Sequence, residues 1–210
     1  MRWLRINSNG AQAALKPARV EAEEFFGALS SRCYEQLSER NVILDIIPRN
    51  LKVTQISGYR RVCLSALGCD RAMALTPVSS HANTLRFACD ERFFLRSGKR
   101  VAKVCSHLPR YVMIHEGAHV VDNGSLSYDE NSQIFDSFLE RARTRRAWVT
   151  DYASTNFKEY FAESVAAFWD APASLSETRC NRAWLRRNDP EMFALLGKIF
   201  PAATPLSRHK

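Results

Sequence analysis

Two histidines four residues apart, His115 and His119, constrain this chain more than any other feature. On an α-helix, residues i and i+4 lie on the same face, so both imidazole rings can reach a single metal ion. Glu116 completes the pattern His-Glu-x-x-His, in which the carboxylate acts as a base on water beside the ion. The pattern therefore predicts a zinc-binding helix.

The residues around this motif favour a short, mostly buried helix over 109–122. Pro109 suits a first helical turn, the segment up to Val121 is apolar apart from the motif, and Gly124 is typical of a helix end. The alternative is a core helix whose histidines only satisfy hydrogen bonds. That alternative would bury two imidazoles and Glu116 together without an ion, which is costly. We therefore favour a metal site.

Gly117 lies inside the predicted motif helix, where an interior glycine costs up to about 1 kcal/mol relative to alanine. Two interpretations are equally good at this point. The glycine allows another element to approach the helix closely, or a well-packed helix simply tolerates it.

The third protein ligand is expected downstream of the motif. His209 lies in a polar tail, so a carboxylate is favoured over a third histidine. Glu159 and Glu163 are four residues apart on a second predicted helix, about residues 156–169, so one can bind the metal while the other orients a ligating histidine. The alternative for Glu159 is a capping box with Asn156 at the start of that helix.

These motifs resemble the catalytic domain of anthrax lethal factor and the related secreted Pro-Pro endopeptidases. The resemblance rests on His-Glu-Gly-Ala-His-Val-Val-Asp at residues 115–122, on Tyr152, and on Thr-Asn-Phe-Lys-Glu-Tyr-Phe-Ala-Glu at residues 155–163. The two motifs are about forty residues apart, as in that family, and Tyr152 precedes Glu159 by seven residues. The resemblance covers residues 109–200.

The resemblance implies a zinc endopeptidase with one Zn²⁺ per chain. In that family's arrangement, His115, His119 and Glu159 would hold the zinc. Glu116 would be the general base, and Tyr152 would stabilise the oxyanion. Glu163 would orient a zinc-bound histidine. In the implied reaction, Glu116 takes a proton from the attacking water and returns it to the leaving amine. Without the resemblance, Tyr152 would be interpreted as an ordinary half-buried aromatic residue.

The order of elements predicts an α+β fold, in which an N-terminal helix and a short mixed sheet precede a helical half that carries the zinc site. The resemblance makes this a single zincin-like metalloprotease domain over residues 17–200, between a flexible N-terminus (1–16) and a flexible tail (201–210). The predicted helices outside the site are 17–40 and 131–148. Four or five short strands are expected, with segments at residues 42–47, 51–57, 72–78 and 84–94. By analogy with zincin-type proteases, the last of these strands is the candidate for binding extended substrate.

Length and composition agree with one globular domain. A chain of 210 residues with 46% hydrophobic content can bury a substantial core. It has no apolar run near the ~20 residues that span a bilayer, and its first ten residues lack the apolar core of a signal peptide. We therefore expect secretion or translocation without a Sec signal peptide, as for an effector or toxin, with a cytoplasmic location as the alternative. The six cysteines lack close pairs, which favours reduced thiols over disulfides or metal ligands.

The net charge of +8 raises a second hypothesis. The basic residues gather in three patches: Arg141, Arg143, Arg145 and Arg146; Arg96, Lys99, Arg100 and Lys103; Arg179, Arg182, Arg186 and Arg187. Such patches are more often solvated helix faces than binding sites, and no nucleic-acid motif accompanies them. The expected partner is therefore a protein or peptide substrate, acidic or in a host cell, and a monomer is favoured. The alternative is a basic binding module, for nucleic acid or an acidic partner, that keeps a structural or inactive zinc site.

Overall fold

A computed structural model of the chain describes residues 1–56, 59, 74–75, 83–95, 109–172, 174 and 178–204. These residues form a mixed α/β fold in which a small sheet precedes a helical second half. Among the helices that the structure describes, none combines the length and apolar character needed to cross a membrane.

The described elements include both strands and helices in the first half and are helical in the second. The strands are β1 (Leu4–Asn7), β2 (Asn41–Ile47), β3 (Ala74–Leu75) and β4 (Thr84–Asp90). The α-helices are α1 (Leu15–Gly27), α2 (Ser31–Ser38), α3 (Glu91–Leu95), α4 (Pro109–Ser125), α5 (Tyr128–Arg143), α6 (Phe157–Phe168), α7 (Arg182–Asn188) and α8 (Pro190–Ile199). Short 3-10 helices cover Gln12–Ala14, Val53–Gln55 and Tyr152–Ser154.

The strand order in the sheet is β1-β2-β4-β3. The first three of these strands are parallel, and β3 runs antiparallel to β4. In the centre, Leu44 of β2 is opposite Phe87 of β4, and both side chains belong to the main core. Ile47, on the other face of β2, packs in a smaller cluster with Tyr59. Because both faces are covered, β2 is apolar along most of its length.

Helix α4 connects the sheet to the helical half. It packs against β4, α1 and α2, and it also packs against α6. Phe25 of α1 is 1% exposed, and its ring contacts the rings of Phe26, Trp169 and Phe200. Fully burying a side chain of this size contributes about 1.5–3 kcal/mol. The core therefore holds α4 firmly from the side of α1.

The N-terminal predictions need two corrections. Residues 1–16 were expected to be flexible, whereas β1 pairs with β2 and Leu4 is buried. The single helix predicted over 17–40 is divided into α1 and α2. At the break, the Ser30 amide donates to the carbonyl of Ile199 at 2.8 Å, and its hydroxyl caps α2. A contact with the far end of the chain thus fixes a break that local periodicity does not show.

Two strand predictions are also corrected. The segment 51–57 contains a 3-10 helix where a strand was expected. The strand predicted over 84–94 ends at Asp90, whose carboxylate accepts a hydrogen bond from the Arg92 amide and so starts α3. Within the described residues, β3 pairs with Cys89 and Ala88 of β4, so part of that edge of β4 is already covered, and a role of this strand in binding substrate stays a prediction. Of the predicted strand 72–78, only β3 lies within the described residues.

In the second half, the predicted helices agree more closely with the observed ones than in the first half. Helix α6 confirms the predicted helix 156–169 to within one residue at each end. Helix α4 extends past the predicted end at 122 to Ser125, because Gly124 packs closely against Leu37 and Leu85 and does not terminate the helix. The helix predicted over 131–148 is α5. It starts earlier because Ser127 and Glu130 form a capping box, and it ends at Arg143, before the predicted end, where Arg145 takes a positive φ.

The basic patches and the cysteines are described in part. Arg141 is buried and pairs with Asp189 at 2.7 Å, so it belongs to the core and not to a solvated patch. The patch at 96–103 and the tail from 205 lie outside the described residues, whereas Ala202 in the first part of the tail bonds to Ala28. Three buried cysteines that the structure describes are not joined in disulfides: Cys33, Cys89 and Cys180. The other cysteines, Cys63, Cys69 and Cys105, lie outside the described residues.

Candidate metal centre

Helices α4 and α6 bring the three predicted ligands together. Oε2 of Glu159, on α6, lies 3.1 Å from Nε2 of His115 and 3.4 Å from Nε2 of His119. The two imidazole rings are nearly perpendicular, with centroids 4.9 Å apart. One potential ligand atom from each residue lies within 4.8 Å of the other two.

This cluster fits a tetrahedral metal ion. With bond lengths of about 2.0–2.1 Å, neighbouring ligands of a tetrahedral zinc lie about 3.4 Å apart. The two contacts of Glu159 are close to that spacing. Its Oε2 atom is buried and accepts no hydrogen bond of acceptable geometry from the described residues. A carboxylate oxygen buried between two imidazoles needs a cationic partner, and a metal ion at this position would supply one, so the donor set fits zinc.

The electrostatics of the cluster favour a positive charge between these side chains. Burial opposes protonation of His115, but its contacts with Glu159 and Glu163 outweigh burial and raise its pKa to about 10. Burial likewise opposes ionisation of Glu159, yet its contacts with the two histidines lower its pKa to about 2. The carboxylates that hold a proton on His115 would attract a metal cation in the same way.

Glu163 occupies the supporting position predicted for it. Its Oε1 atom lies 3.0 Å from Nδ1 of His115, on the opposite side of the ring from Glu159. It also accepts hydrogen bonds from the hydroxyls of Tyr111 and Thr150, the latter at 2.9 Å. A carboxylate held in this way fixes the orientation of the imidazole ring and increases its basicity.

Tyr111 and Thr150 were not predicted from the sequence. Tyr111 lies one helical turn before His115, and its hydroxyl is 3.3 Å from Nδ1 of that histidine. The i, i+4 spacing was the available signal, but the apolar surroundings of Tyr111 favoured a core role. Thr150 lies in the loop before Tyr152 and also accepts a hydrogen bond from the Ala153 amide at 3.1 Å. No local pattern distinguishes it.

The two predicted catalytic residues lie beside the cluster. Glu116 is buried on α4, and its charge acts on both His115 and Tyr152. Tyr152 is 53% exposed, and its ring centroid is 6.1 Å from that of His115. Partial burial, followed by the charges of Glu159 and Glu116, raises the pKa of Tyr152 to about 12. Its hydroxyl is therefore a hydrogen-bond donor at neutral pH.

The start of α6 decides between the two interpretations of Glu159. Asn156 caps the helix, and its side chain accepts hydrogen bonds from the amides of Lys158 and Glu159, each at 3.0 Å. The carboxylate of Glu159 contacts the histidines. The cap is therefore present, while the Glu159 side chain takes the position that a ligand requires.

Lys158 holds the same end of α6 against α4. Its ammonium group lies 2.7 Å from the carboxylate of Asp122 and 3.0 Å from Oδ1 of Asn123. Asp122 is 7% exposed and lies three residues after His119. This interhelical link fixes the distance between the α4 ligands and Glu159.

The structure also explains Gly117. A Cβ atom at this position would lie 2.7 Å from Cε1 of Phe25 and 2.9 Å from Cδ1. The glycine therefore permits the close approach of α1, which is the first of the two interpretations. It lets the motif helix pack tightly on the side away from α6.

The chain matches no protein-family model, no curated protein and no solved structure in the three comparisons.

Proposed function

We propose that this protein is a zinc-dependent endopeptidase with a lethal factor-like arrangement of site residues. The observation that carries the proposal is the position of Glu159, whose buried oxygen lies 3.1 Å and 3.4 Å from the two motif histidines. A structural zinc site is normally closed by four protein ligands, whereas this cluster supplies three and places Glu116 beside it.

His115, His119 and Glu159 would hold the ion, and Glu163 would fix the ring of His115. A zinc ion bound there would polarise the scissile carbonyl and make water more acidic. Glu116, adjacent to the ligands, takes the proton of the attacking water and transfers it to the leaving amine.

Tyr152 supplies the remaining group. It lies at the exposed side of the cluster, where a peptide can reach it, and its raised pKa keeps the hydroxyl protonated. It donates a hydrogen bond to the carbonyl oxygen as negative charge develops there. In this proposal, the buried Glu116 acts as the base and the half-exposed Tyr152 acts as the hydrogen-bond donor.

The zincin-like class is part of the same proposal. In support, a small mixed sheet precedes the motif helix, which packs against β4, and the third ligand comes from a later helix. The specific substrate would be a protein segment bound in extended form across Tyr152.

Zinc content and protein cleavage, measured on the same preparations, test the proposal. The variants are Glu116→Gln, Glu159→Gln and, as a control, Glu35→Gln, an exposed glutamate of α2. We expect about one zinc per chain in wild type, Glu116→Gln and the control, and a large loss in Glu159→Gln. In a cell lysate, new protein N-termini should appear only with wild type and the control.

Each outcome has a separate meaning. Absence of zinc from the metal-replete wild type would contradict the whole proposal. Bound zinc with no cleavage that depends on Glu116 would instead favour a binding module with a structural metal site.

A further inference from the structure

The outward face of α5 carries an apolar stripe. Tyr128, Phe135 and Leu139 are 84%, 43% and 48% exposed, and they are three of the five large hydrophobic side chains exposed in the described part of the chain. Their spacing, i, i+7 and i+11, places them on one side of the helix. Exposed apolar side chains grouped in this way are typical of interaction surfaces.

An acidic stripe runs beside the apolar one. Asp129, Asp136 and Glu140 repeat at i, i+7 and i+11 and, with Glu191 of α8, line an open groove of about 470 Å³. Residues 128–140 include four acidic side chains and no lysine or arginine, although the chain as a whole carries a net charge of +8. The charge of the groove is therefore negative, whereas the net charge of the chain is positive.

Most of these charges are not neutralised within the described structure. Glu140 pairs with Arg143 at 2.8 Å. Asp129, Asp136 and Glu191 form no ion pair with any residue in the described ranges. Three carboxylates beside a row of exposed apolar side chains present a surface that a cationic, amphipathic partner complements.

We propose that this face of α5, the acidic groove together with the apolar stripe beside it, binds a basic amphipathic segment of another protein. Its leucine-like or aromatic side chains would cover Phe135 and Leu139, and its lysines or arginines would pair with Asp129 and Asp136. Helix-in-groove recognition uses this combination of apolar anchors and flanking charge. A second copy of the same face is disfavoured, because its acidic stripe would oppose an identical one.

The apolar stripe contacts the helix that carries Glu159, but neither the stripe nor the groove includes a residue of the metal cluster. The ring of Phe135 packs edge-on against Phe157, with centroids 5.4 Å apart, and Phe157 begins the helix that carries Glu159. None of the groove side chains contributes a metal ligand. Binding should therefore be the same with and without zinc, so its failure is distinguishable from a failure of the peptidase proposal.

A direct binding measurement tests the inference. The probe is a fluorescein-labelled peptide of about 18 residues, made of leucine and lysine at helical spacing, and its leucine–glutamate counterpart is the control peptide. Fluorescence anisotropy is recorded with wild type, Phe135→Ser/Leu139→Ser, Asp129→Asn/Asp136→Asn and Val20→Ser. Val20 is 55% exposed on α1, which makes it a matched apolar control. Thermal unfolding monitored by circular dichroism shows that each variant is folded.

We expect the lysine peptide to bind at least about tenfold more tightly than the glutamate peptide, and more weakly as salt increases. Each of the two double variants should weaken binding of the lysine peptide by about tenfold or more, while Val20→Ser leaves it unchanged. Equal binding of both peptides, or equal binding by all variants, would overturn the inference. A dimer of the wild type that Phe135→Ser/Leu139→Ser abolishes would assign the surface to a second copy and would also overturn it.

Discussion

The Tyr111 hydroxyl donates a hydrogen bond to Glu163 and so joins the motif helix to the carboxylate that faces His115. The other oxygen of Glu163 accepts a hydrogen bond from Thr150, and the Glu163 side chain is almost fully buried. A buried carboxylate with partners on both oxygens has one favourable orientation. The ring of His115 is thereby oriented before any ligand binds.

Tyr111→Phe removes this donor and keeps the aromatic ring. We expect zinc affinity to fall about tenfold or more, as is typical when a partner of a metal-ligating histidine is lost. Competition with a chromophoric chelator measures the affinity. The matched control is Tyr160→Phe, which removes a buried hydroxyl that donates to Asp189 at 2.6 Å, away from the ligands. If both variants bind zinc like the wild type, Tyr111 has no positioning role.

Tyr152→Phe tests the oxyanion role. Loss of one such donor lowers kcat by about 100-fold or more, and we expect this with little change in KM or zinc content. The assay uses a substrate identified by N-terminal profiling. Tyr34→Phe, at a partly exposed tyrosine of α2, serves as the control. An unchanged kcat would remove Tyr152 from the catalytic groups.

Lys158→Met tests the link between α4 and α6. The substitution leaves the buried Asp122 carboxylate without its cation, and we expect a loss of about 1–3 kcal/mol in the free energy of unfolding, together with weaker zinc binding. Arg143→Met breaks an exposed pair with Glu140, which should cost less than about 1 kcal/mol. Urea unfolding measures both. Equal effects would show that Lys158 forms only an ordinary surface pair.

Gly117→Ala separates helix propensity from packing. Alanine favours the helix by up to about 1 kcal/mol, but its Cβ would overlap the Phe25 ring, and overpacking costs about 1–3 kcal/mol. We expect net destabilisation in urea unfolding. Gly197→Ala, on α8 with open space around the added atom, should instead stabilise the protein. Stabilisation by both substitutions would contradict the packing explanation.

Tyr160 makes the free energy of unfolding depend on pH in the alkaline range. Burial first, and then the nearby charge of Asp189, raise its pKa in the folded protein above the value of about 10 in an unfolded chain. Above pH ~10 the unfolded chain loses this proton while the folded chain keeps it, so stability falls as pH rises. As pH rises in this range, the free energy of unfolding of Tyr160→Phe should therefore fall by up to about 1.4 kcal/mol less per pH unit than that of the wild type. Urea unfolding between pH ~9 and ~11 measures the difference, and parallel pH profiles would contradict it.

The ligand cluster was predictable because each part of it depends on local spacing. His115 and His119 share a helix face by periodicity alone, and Glu159 follows a strong helix start at Asn156. The supporting hydroxyls were not predictable in the same way. Thr150 reaches Glu163 only because a loop folds back over α6, and no sequence pattern encodes that path.

The boundaries of the N-terminal elements were predicted wrongly for a similar reason. The break before α2 depends on a hydrogen bond from Ser30 to Ile199, which is distant in the sequence. The strand β1 is four residues long and is defined by its pairing with β2. Local propensity describes neither contact, because both are properties of the assembled core.

The Lys158–Asp122 link has a consequence for how the proposed zinc ion would be acquired. It joins α4 to α6 within one turn of His119 and Glu159, and it contains no ligand atom. We therefore expect α4 and α6 to stay docked without a bound ion, unlike a zinc finger, which unfolds without its metal. Extraction by a chelator and reloading should be rapid and reversible, with no refolding step between them.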